Sequence, residues 1–394
     1  MRIFAATKHT IMAGIYIHIP FCKSRCTYCG FFSTTSLAMR EAYTNAICKE
    51  LHMRRDYLNG QPIETIYLGG GTPSILKLEA TEKILSTIYN IYNVRAKEIT
   101  MECNPDDLIR PDGIKTGTLL PRLRPIGVNR LSIGVQTFND TLLRTLNRRH
   151  TAIQAQQAVH AAHEVGFDNV SIDLMFGLPG QMLEDFKNDV SEALSLDIQH
   201  LSVYSLSYEE GTPLHRKLLK GLVQEADEEL SRNMYEHVID ATTEKGLKHY
   251  EISNFAVPGK ESIHNSNYWR GIPYIGVGAG AHSFDTQSRQ FNIESLPDYI
   301  KEITDGTLPM CKEILTTADK YNEYVFTALR TRNGLNIQQL HKIFGPELHA
   351  YFLRMAKKHI DNGFLYNESD QIRLTRKALF ISNDIMSDLM FVAD

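Results

Sequence analysis

The stretch Tyr16-Ile-His-Ile-Pro20-Phe-Cys22-Lys-Ser-Arg-Cys26-Thr-Tyr-Cys29 joins a strand-like run to a loop that carries three cysteines. Soft thiolate ligands favour zinc or iron–sulfur centres. Three thiolates from one loop can hold three corners of a metal cluster and leave one metal without a protein ligand. An open position of this kind marks a centre that binds a ligand or does chemistry. We therefore predict that Cys22, Cys26 and Cys29 form a cluster-binding loop.

Disulfides, a zinc site and chance clustering each fit the cysteine loop poorly. An odd number of cysteines in a chain of intracellular character argues against disulfides. A zinc site needs a fourth Cys or His at finger or ribbon spacing, and none lies nearby in the sequence. Chance clustering is disfavoured because half of the six cysteines lie in this loop. We expect the other three to be small buried hydrophobic residues: Cys48, Cys103 and Cys311.

Length and composition narrow the class of protein. A chain of 394 residues has room for one large domain and a small one. The formal net charge of −4 argues against general nucleic-acid binding. The sequence contains no run of about 18 apolar residues, so we expect no membrane span. The N-terminus lacks the apolar segment of a secretory signal. Because a metal cluster needs reduced thiols, we expect the protein in the cytosol.

The first 210 residues alternate strand-like with helix-like runs, which predicts a parallel sheet that curls into a partial barrel with six strand–helix units. The predicted strands are Ile15–Ile19, Thr65–Leu68, Glu98–Glu102, Arg130–Gln136, Asn169–Met175 and His200–Leu206. The predicted helices include Leu37–Leu58, Lys77–Tyr92, Ile153–Val165 and Leu183–Leu194.

Several of these strands have one apolar face and one small or polar face. Helices would cover the apolar face of such a barrel, so the polar face must point inward. The polar faces end in Glu102, Gln136 and Asp173, at the end of the strands where such barrels place their active sites. Each residue alone could be a solvated strand end, but three strands agree. The segment Gly69-Gly70-Gly71-Thr72-Pro73 follows the second strand and permits close approach of backbone to a ligand, although a bare tight turn is the alternative.

The pattern changes after residue 215, and we predict a helix over Glu225–Lys245 and a strand over His249–Phe255. The segment His264-Asn265-Ser-Asn-Tyr268-Trp269 holds the only tryptophan, and His282 follows a glycine-rich turn. From residue 319, three helical runs and two short strands predict a winged-helix-like α+β module, composed of Lys320–Arg332, Asn336–Phe344, Glu347–Asn362, Phe364–Tyr366 and Gln371–Leu374. Its mixture of acids and bases favours packing or gating over DNA binding.

The spacing C-x3-C-x2-C, with an aromatic residue before the third cysteine, resembles the radical S-adenosylmethionine (SAM) superfamily. Nearly the whole chain resembles the oxygen-independent coproporphyrinogen III oxidase family, through YIHIPFC, GGGTPS, ECNP, SIGVQTF, NRRH and IDLMFGLPG. The resemblance implies a [4Fe-4S] cluster on Cys22, Cys26 and Cys29, with SAM on the fourth iron. It further implies that the SAM and cluster site includes Tyr16, Tyr28, Gly70, Gly71, Thr72, Glu102, Gln136, Arg148 and Asp173. Glu102 and Asp173 would accept hydrogen bonds from the amino and ribose groups of SAM, and Arg148 would pair with its carboxylate.

Within that family the chain resembles the HemW haem-chaperone branch. In the true oxidases a fourth cysteine follows the third one after a single residue. Phe31 occupies the position of that fourth cysteine in this chain. They also carry an N-terminal extension, for which a cluster loop beginning at residue 22 leaves no room. The motif H-N-x-x-Y-W, which that branch is thought to use for haem, is present as His264, Asn265, Tyr268 and Trp269. A neutral imidazole is a common axial ligand of haem iron, so we predict His264 as the ligand and His282 as a second candidate.

We therefore expect an α/β fold with a barrel core over 12–215, a barrel extension with the haem motif over 216–310, and the winged-helix-like module over 311–394. The expected function is that of a haem chaperone that carries a cluster and exchangeable SAM, with haem and haem-acceptor proteins, such as respiratory ones, as partners. Contact with membranes would come through acceptors, nucleic acid is not expected, and a monomer or a dimer fits. The alternative is a radical enzyme that decarboxylates coproporphyrinogen III. An iron–sulfur-dependent DNA-binding regulator is a third class, and no basic recognition helix favours it.

Overall fold

The computed structural model describes residues 12–109 and 118–392. Six parallel strands lie side by side in chain order, with helices in the connections, as the alternating pattern predicts. The strands are β1 (Ala13–Ile19), β2 (Ile63–Gly70), β3 (Val94–Cys103), β4 (Arg130–Gln136), β5 (Val170–Phe176) and β6 (His200–Ser205). The helices are α1 (Arg40–Met53), α2 (Leu78–Ile91), α3 (Pro105–Leu108), α4 (Leu120–Leu123), α5 (Asp140–Thr145), α6 (Ala152–Glu164) and α7 (Leu183–Ser195).

The sheet continues beyond the six parallel strands at both edges, to twelve strands among the described residues. The added elements are α8 (Pro213–Leu219), α9 (Glu228–Glu244), β7 (Lys248–Glu251), β8 (Asn254–Ala256), α10 (Ile263–Trp269), β9 (Tyr274–Val277), β10 (His282–Phe284), β11 (Ser288–Asn292), α11 (Leu296–Asp305) and β12 (Met310–Ile314). Of these, β9 runs parallel to β1 on its outer side, and β8 runs antiparallel to β6. The large sheet thus runs to Ile314, and the division of the chain at 215 and 310 stays a prediction.

The prediction of a single strand over residues 249–255 is wrong, because β7 and β8 form an antiparallel hairpin there. The Glu251 carboxylate accepts hydrogen bonds from the backbone N–H of Ser253 and from the side chain of Asn254. These bonds hold the turn that reverses the chain. Glu251 also pairs with Arg330, whose Nε lies 3.1 Å from Oε2, so the hairpin contacts the C-terminal module.

The C-terminal module has its own apolar core, separate from the barrel core. It contains α12 (Thr317–Leu329), β13 (Leu335–Asn336), α13 (Ile337–Asp361), β14 (Leu365–Glu368), β15 (Gln371–Leu374) and α14 (Ser382–Asp388). A kink interrupts α13 where the pattern predicts two helices to meet, because Gly345 takes the non-helical φ of 81° before Pro346. The wing has three strands, since β13, too short to predict, joins the two predicted ones.

The other three cysteines lie outside the cysteine loop. Cys48 and Cys103 are buried as predicted, but Cys311 is exposed, because it lies on the edge strand β12.

Within the described ranges, none of the helices combines the length and the apolar character that crossing a bilayer requires.

The polar faces of the strands meet inside the barrel, as their alternation predicts. Ser132 Oγ on β4 donates to Asp173 on β5 over 3.2 Å, and Ser171 Oγ on β5 lies 2.7 Å from His200 Nδ1 on β6. The alternate positions, such as Ile133 and Ile172, are fully buried in the core beneath the helices. Hydrogen bonding between neighbouring strands is what makes a buried polar interior tolerable.

Candidate cluster and cofactor site

The cysteine loop leaves the end of β1 and is held by backbone hydrogen bonds with Thr34. Cys22, Cys26 and Cys29 are free and half-buried. Two neighbours reach their sulfurs: Thr72 Oγ1 lies 3.5 Å from Cys22 Sγ, and Arg148 Nη1 lies 3.3 Å from Cys26 Sγ. The structure therefore brings the glycine segment after β2 and the segment after α5 to the same three thiols.

The donor set fits an iron–sulfur cluster. Burial raises the pKa values of the Cys22 and Cys29 thiols, so a bound metal cation is what would hold them as thiolates. In the described part of the chain, no three His, Cys, Asp or Glu side chains converge on one point as ligands of a single ion. In a cluster each thiol binds a different iron, so the three thiols do not have to converge on a single point.

The glycine segment packs tightly against the start of the cysteine loop. Gly71 N–H donates to Ile19 O over 2.8 Å, and a Cβ at Gly71 would lie 2.9 Å from the backbone oxygens of Ile19 and Phe21. Gly70 has φ 108°, and a Cβ there would lie 2.5 Å from the His18 ring. Packing against the chain itself therefore requires glycine at both positions, and the ligand-binding role of this segment stays a prediction.

We expect Gly70→Ala to destabilise the protein more than Gly60→Ala does, by about 1–3 kcal/mol, because the added methyl group meets the His18 ring. Gly60 is the matched control, since its φ is also positive, at 71°, but no atom lies within 4 Å of the place a Cβ would take. Chemical denaturation of both variants measures the difference. Equal losses of stability would show that His18 does not restrict Gly70.

Glu102 lies at the end of β3, inside the barrel mouth. Its carboxylate accepts hydrogen bonds from Tyr67 O–H over 2.8 Å and from Gly70 N–H over 3.1 Å. Burial raises the pKa of Glu102 to about 7. A carboxyl group that is shielded from water, and that hydrogen-bonds to neutral donors here, is suited to receive an ammonium group from a ligand.

Arg148 and Asp173 line the same mouth. Arg148 Nη2 donates to Asn104 Oδ1 over 2.5 Å and also to Gly134 O, while Nε has no partner among the described residues. These contacts fix the guanidinium in place, and its pairing with a SAM carboxylate stays a prediction. Burial raises the pKa of Asp173. Gln136, at φ 71°, turns the chain at the end of β4 so that its side-chain nitrogen approaches Gly134.

Tyr16 lies on β1, and Tyr28 lies within the cluster loop, between Cys26 and Cys29. Tyr16 O–H is 3.1 Å from His18 Nδ1, and the Tyr16 ring stacks on Tyr67 with centroids 6.1 Å apart. Tyr28 packs against a small apolar cluster that includes Leu146. Tyr16 therefore belongs to the barrel interior, whereas Tyr28 anchors the cysteine loop to this cluster.

The helix α10, which carries the H-N-x-x-Y-W motif, closes the barrel at the opposite end from the cluster loop. Glu98 lies four residues before Glu102 on β3, and its carboxylate accepts hydrogen bonds from the backbone N–H groups of Ile263 and His264 over 2.8 and 3.0 Å. A carboxylate at the first turn of a helix satisfies free N–H groups and complements the helix dipole. Glu98 thereby anchors the motif to the barrel interior.

His264 is only 2 % exposed, and its role as the axial ligand of haem stays a prediction. Its Nδ1 lies 2.8 Å from Thr65 Oγ1, and its Nε2 lies 2.8 Å from the hydroxyl oxygen of Tyr268. The ring also stacks on Tyr67 at 5.0 Å, and burial lowers the pKa of His264 to about 3. Both nitrogens are engaged within the barrel, so binding of iron to His264 would require that one of these contacts opens.

The rest of the motif faces the C-terminal module. The guanidinium of Arg330 lies over the Trp269 ring at 4.7 Å, so one face of that ring is covered, and Trp269 Nε1 has no partner among the described residues. Asn265 is half-buried, and its backbone N–H donates to the capping Ser262 Oγ over 3.3 Å. Tyr268 carries the motif to the surface, because its ring is half-buried while its hydroxyl contacts His264.

We expect His264→Ala to destabilise the protein by about 2–4 kcal/mol, since it leaves a cavity below Tyr67 and removes hydrogen bonds from two buried hydroxyls. The free energy of unfolding by urea measures this effect. His160, exposed on α6, is the control position, and His160→Ala should change stability little. A His264→Ala protein as stable as the control would contradict the buried role.

Several interior residues that shape the site escaped prediction from the sequence. Tyr67 joins two regions, since it stacks on His264 and donates to Glu102; its alternation with Ile66 and Leu68 was a sign of an inward position. Arg130 is buried on β4, and its Nε and Nη1 have no partner among the described residues. A charged residue at the start of a strand gives no sign, in sequence alone, that it will be enclosed.

The partial barrel and its cysteine loop define a radical SAM protein, and comparison with known proteins agrees. The model of the Radical SAM superfamily matches residues 16–193, and that of the HemN C-terminal domain matches residues 315–381. In a solved structure, coproporphyrinogen III oxidase (HemN) from Escherichia coli has the same fold, with a TM-score of 0.83 over 98% of this chain and 91% of that one, at 23% identity.

More similar sequences identify the family within that class. The chain is 36% identical to the heme chaperone HemW of Bacillus subtilis over 95% of its length and 98% of the relative's. It is 32% identical to the heme chaperone HemW of Lactococcus lactis, over 95% and 96% of the two chains. The chain belongs to the HemW haem-chaperone family.

Proposed function

We propose that this protein binds haem and delivers it to acceptor proteins, with a [4Fe-4S] cluster and exchangeable SAM as resident cofactors. The observation that carries the proposal is similarity to haem chaperones over almost the full length of both chains, at 36% identity in one case. Phe31, at the position of the oxidases' additional cysteine, is 70% exposed and supports the chaperone over the oxidase.

In this proposal Cys22, Cys26 and Cys29 hold three irons of the cluster. The fourth iron would take SAM, and reduction of the SAM sulfonium is the chemistry that the pair supplies when bound. Glu102 would accept a hydrogen bond from the SAM amino group, and Asp173 would accept hydrogen bonds from its ribose hydroxyls, since both are buried acceptors at the mouth. Arg148, fixed beside Cys26, adds positive charge near the thiolates. Gly70 and Gly71 allow the segment after β2 to pack against the start of the cysteine loop, which brings their backbone next to the cluster site.

The partners are haem and haem-acceptor proteins, and respiratory haem proteins are the acceptors we propose. The six free cysteines support a reducing compartment, so we place the protein in the cytosol, with membrane contact only through its acceptors. A monomer or a dimer is compatible with this function.

The proposal predicts that purified protein binds about one haem per chain and passes it to the apo form of a b-type cytochrome. A titration followed by the Soret absorbance gives the stoichiometry, and size-exclusion separation of the two proteins measures transfer. Serum albumin loaded with haem is the control for passive release. Haem that stays on the protein, or moves no faster than it does from albumin, would contradict a chaperone function.

A further inference from the structure

The strand β4 ends in a bulge at the mouth of the barrel. Gly134 pairs with Asp173 of β5, whereas Gln136 pairs with the residue that directly follows Asp173. Val135 is therefore an extra residue on β4. Gln136 then takes the left-handed φ of 71°, which is uncommon for a residue with a side chain. Bulges of this kind re-aim a side chain, and they are frequent beside functional sites.

The bulge brings the Gln136 amide to the cofactor site. The place that a Cβ at Gly134 would take lies 2.9 Å from Gln136 Nε2 and 3.3 Å from Arg148 Nη2. The amide therefore lies beside the guanidinium that also contacts the Cys26 sulfur. A left-handed backbone at a residue other than glycine persists only where neighbouring groups hold it.

Asp189 is the buried group that holds the turn after Gln136. It lies on α7 and is 2 % exposed. Its Oδ1 accepts a hydrogen bond from Phe138 N–H over 2.6 Å, and its Oδ2 accepts one from the Thr137 hydroxyl over 2.8 Å. Both donors belong to the two residues that directly follow Gln136. The carboxylate thereby fixes the direction in which the chain leaves β4.

A third contact of Asp189 reaches the loop after β5. Gln181 Nε2 donates to Asp189 Oδ2 over 3.5 Å, and Gln181 Oε1 accepts from Leu178 N–H over 3.1 Å. Asp189 thus joins the loops that follow two neighbouring strands at the barrel mouth. Its three partners are all neutral donors, so the position calls for an acceptor, and a carboxylate accepts the strongest hydrogen bonds.

His150 holds the other side of the bulge. Its Nε2 lies 3.1 Å from the carbonyl oxygen of Val135, the extra residue, and its side chain is buried. Burial lowers the pKa of His150 to about 3, so the ring is neutral and can donate one N–H to this carbonyl. His150 and Asp189 together satisfy backbone groups at the bulge and just after it.

We propose that Asp189 is a positioning residue of the SAM site, which holds the bulge of β4 so that the Gln136 amide faces the bound ligand. This inference rests on the proposed function, in which SAM binds at the barrel mouth, and it adds a residue that belongs to none of the matched motifs. Asp189 does not touch the ligand, because its oxygens bind the two loops, and it acts on SAM through Gln136.

A double-mutant cycle on SAM affinity tests this assignment. Burial raises the pKa of Asp189 to about 6, so calorimetric titration of the reconstituted protein is made at about pH 8, where the group is a carboxylate. Gln136→Ala and Asp189→Ala should each weaken SAM binding by about 3- to 10-fold, because each removes the hydrogen bond of the Gln136 amide to SAM. The variant with both changes should bind no more weakly than either single variant.

Two further variants separate positioning from a general loss of structure. Asp189→Asn should recover most of the affinity, because its amide oxygen still accepts from Phe138 N–H. Glu184→Ala is the matched control, since Glu184 is exposed on the same helix, and it should bind SAM normally. All variants should keep the iron and sulfide content of the unaltered protein. Loss of the cluster in Asp189→Ala would overturn the assignment, because Asp189 would then support the cysteine loop.

The outcomes distinguish this inference from the proposed function. If the unaltered protein binds no SAM, the proposed SAM site fails and the role of Asp189 fails with it. If it binds SAM and Asp189→Ala matches Glu184→Ala, only the role of Asp189 is overturned. The same holds if the two single effects multiply to about 10- to 100-fold in the double variant. If Asp189→Ala does not fold, Thr137→Val provides the same cycle, because it removes the hydroxyl donor to Asp189 and keeps the shape of the side chain.

Discussion

Cys26→Ala is expected to abolish the cluster, because two thiolates cannot hold three corners of a cubane in place. Protein purified without oxygen should contain about four iron and four sulfide per chain before the change, and close to none after it. Cys26 also accepts the hydrogen bond from Arg148, so the change leaves that guanidinium without its sulfur partner as well. Iron and sulfide analysis with visible absorbance measures the loss.

Cys311→Ala is the matched control, since Cys311 is a free thiol exposed on β12, away from the loop. It should retain the full content of iron and sulfide. One zinc per chain without sulfide in the unaltered protein, or a full cluster in Cys26→Ala, would contradict the three-cysteine site.

Glu102→Gln is expected to weaken SAM binding by about 10- to 100-fold while the cluster content stays the same. The change keeps the shape of the side chain and removes the negative charge that would accept from the SAM amino group. That charge-assisted hydrogen bond contributes about 1.5–3 kcal/mol. Calorimetric titration of the reconstituted protein with SAM measures the affinity. Glu79→Gln, exposed on α2, is the control and should bind SAM normally. Normal binding by Glu102→Gln would remove Glu102 from the SAM site.

The pH dependence of the same titration provides a second readout. Without SAM, burial raises the pKa of Glu102 from 4.5 to about 7, so the group is largely protonated at about pH 6. A carboxylate accepts a stronger hydrogen bond from the SAM amino group than the protonated acid does, so SAM binding favours release of this proton. Affinity should therefore rise between about pH 6 and about pH 8 and then level off, and Glu102→Gln should lose this dependence. An affinity that falls over this range would contradict the assignment.

The stability of the SAM-free protein should fall as pH rises, whereas its affinity for SAM should rise. The folded chain holds the Glu102 proton more tightly than the unfolded chain does, so this group makes the SAM-free protein less stable as pH rises from about 4.5 to about 7. Glu102→Gln has no proton to lose, so its stability should lack this pH dependence. Urea unfolding of the variant at each pH then shows whether a loss of SAM binding results from unfolding.

The six-strand order and the inward polar faces could be predicted because alternation along each strand is a local property. β4 and β15 begin and end where the pattern placed them. The twelve-stranded sheet could not be predicted in this way, because β9 pairs with β1 although the two strands are far apart in the sequence. The hairpin of β7 and β8 was missed because its turn depends on the Glu251 side chain rather than on glycine or proline.

The site shows the same division between local and distant causes. The thiols and the glycine segment are adjacent because β1 and β2 are neighbouring parallel strands, which the pattern implied. The position of His264 could not be read from its motif, because Glu98, Thr65 and Tyr268 together fix it inside the barrel. The H-N-x-x-Y-W motif gives the residue types of this segment, whereas the burial of His264 depends on contacts with residues that are distant in the sequence.

The haem-chaperone function is tested most directly by anaerobic incubation of the reconstituted protein with SAM, a reductant and coproporphyrinogen III. Protoporphyrinogen and 5′-deoxyadenosine are measured by chromatography, and haem binding is measured on the same preparation. We expect that the protein binds haem and that no protoporphyrinogen forms. Formation of protoporphyrinogen over many turnovers, dependent on Cys26, would contradict a chaperone and identify an oxidase.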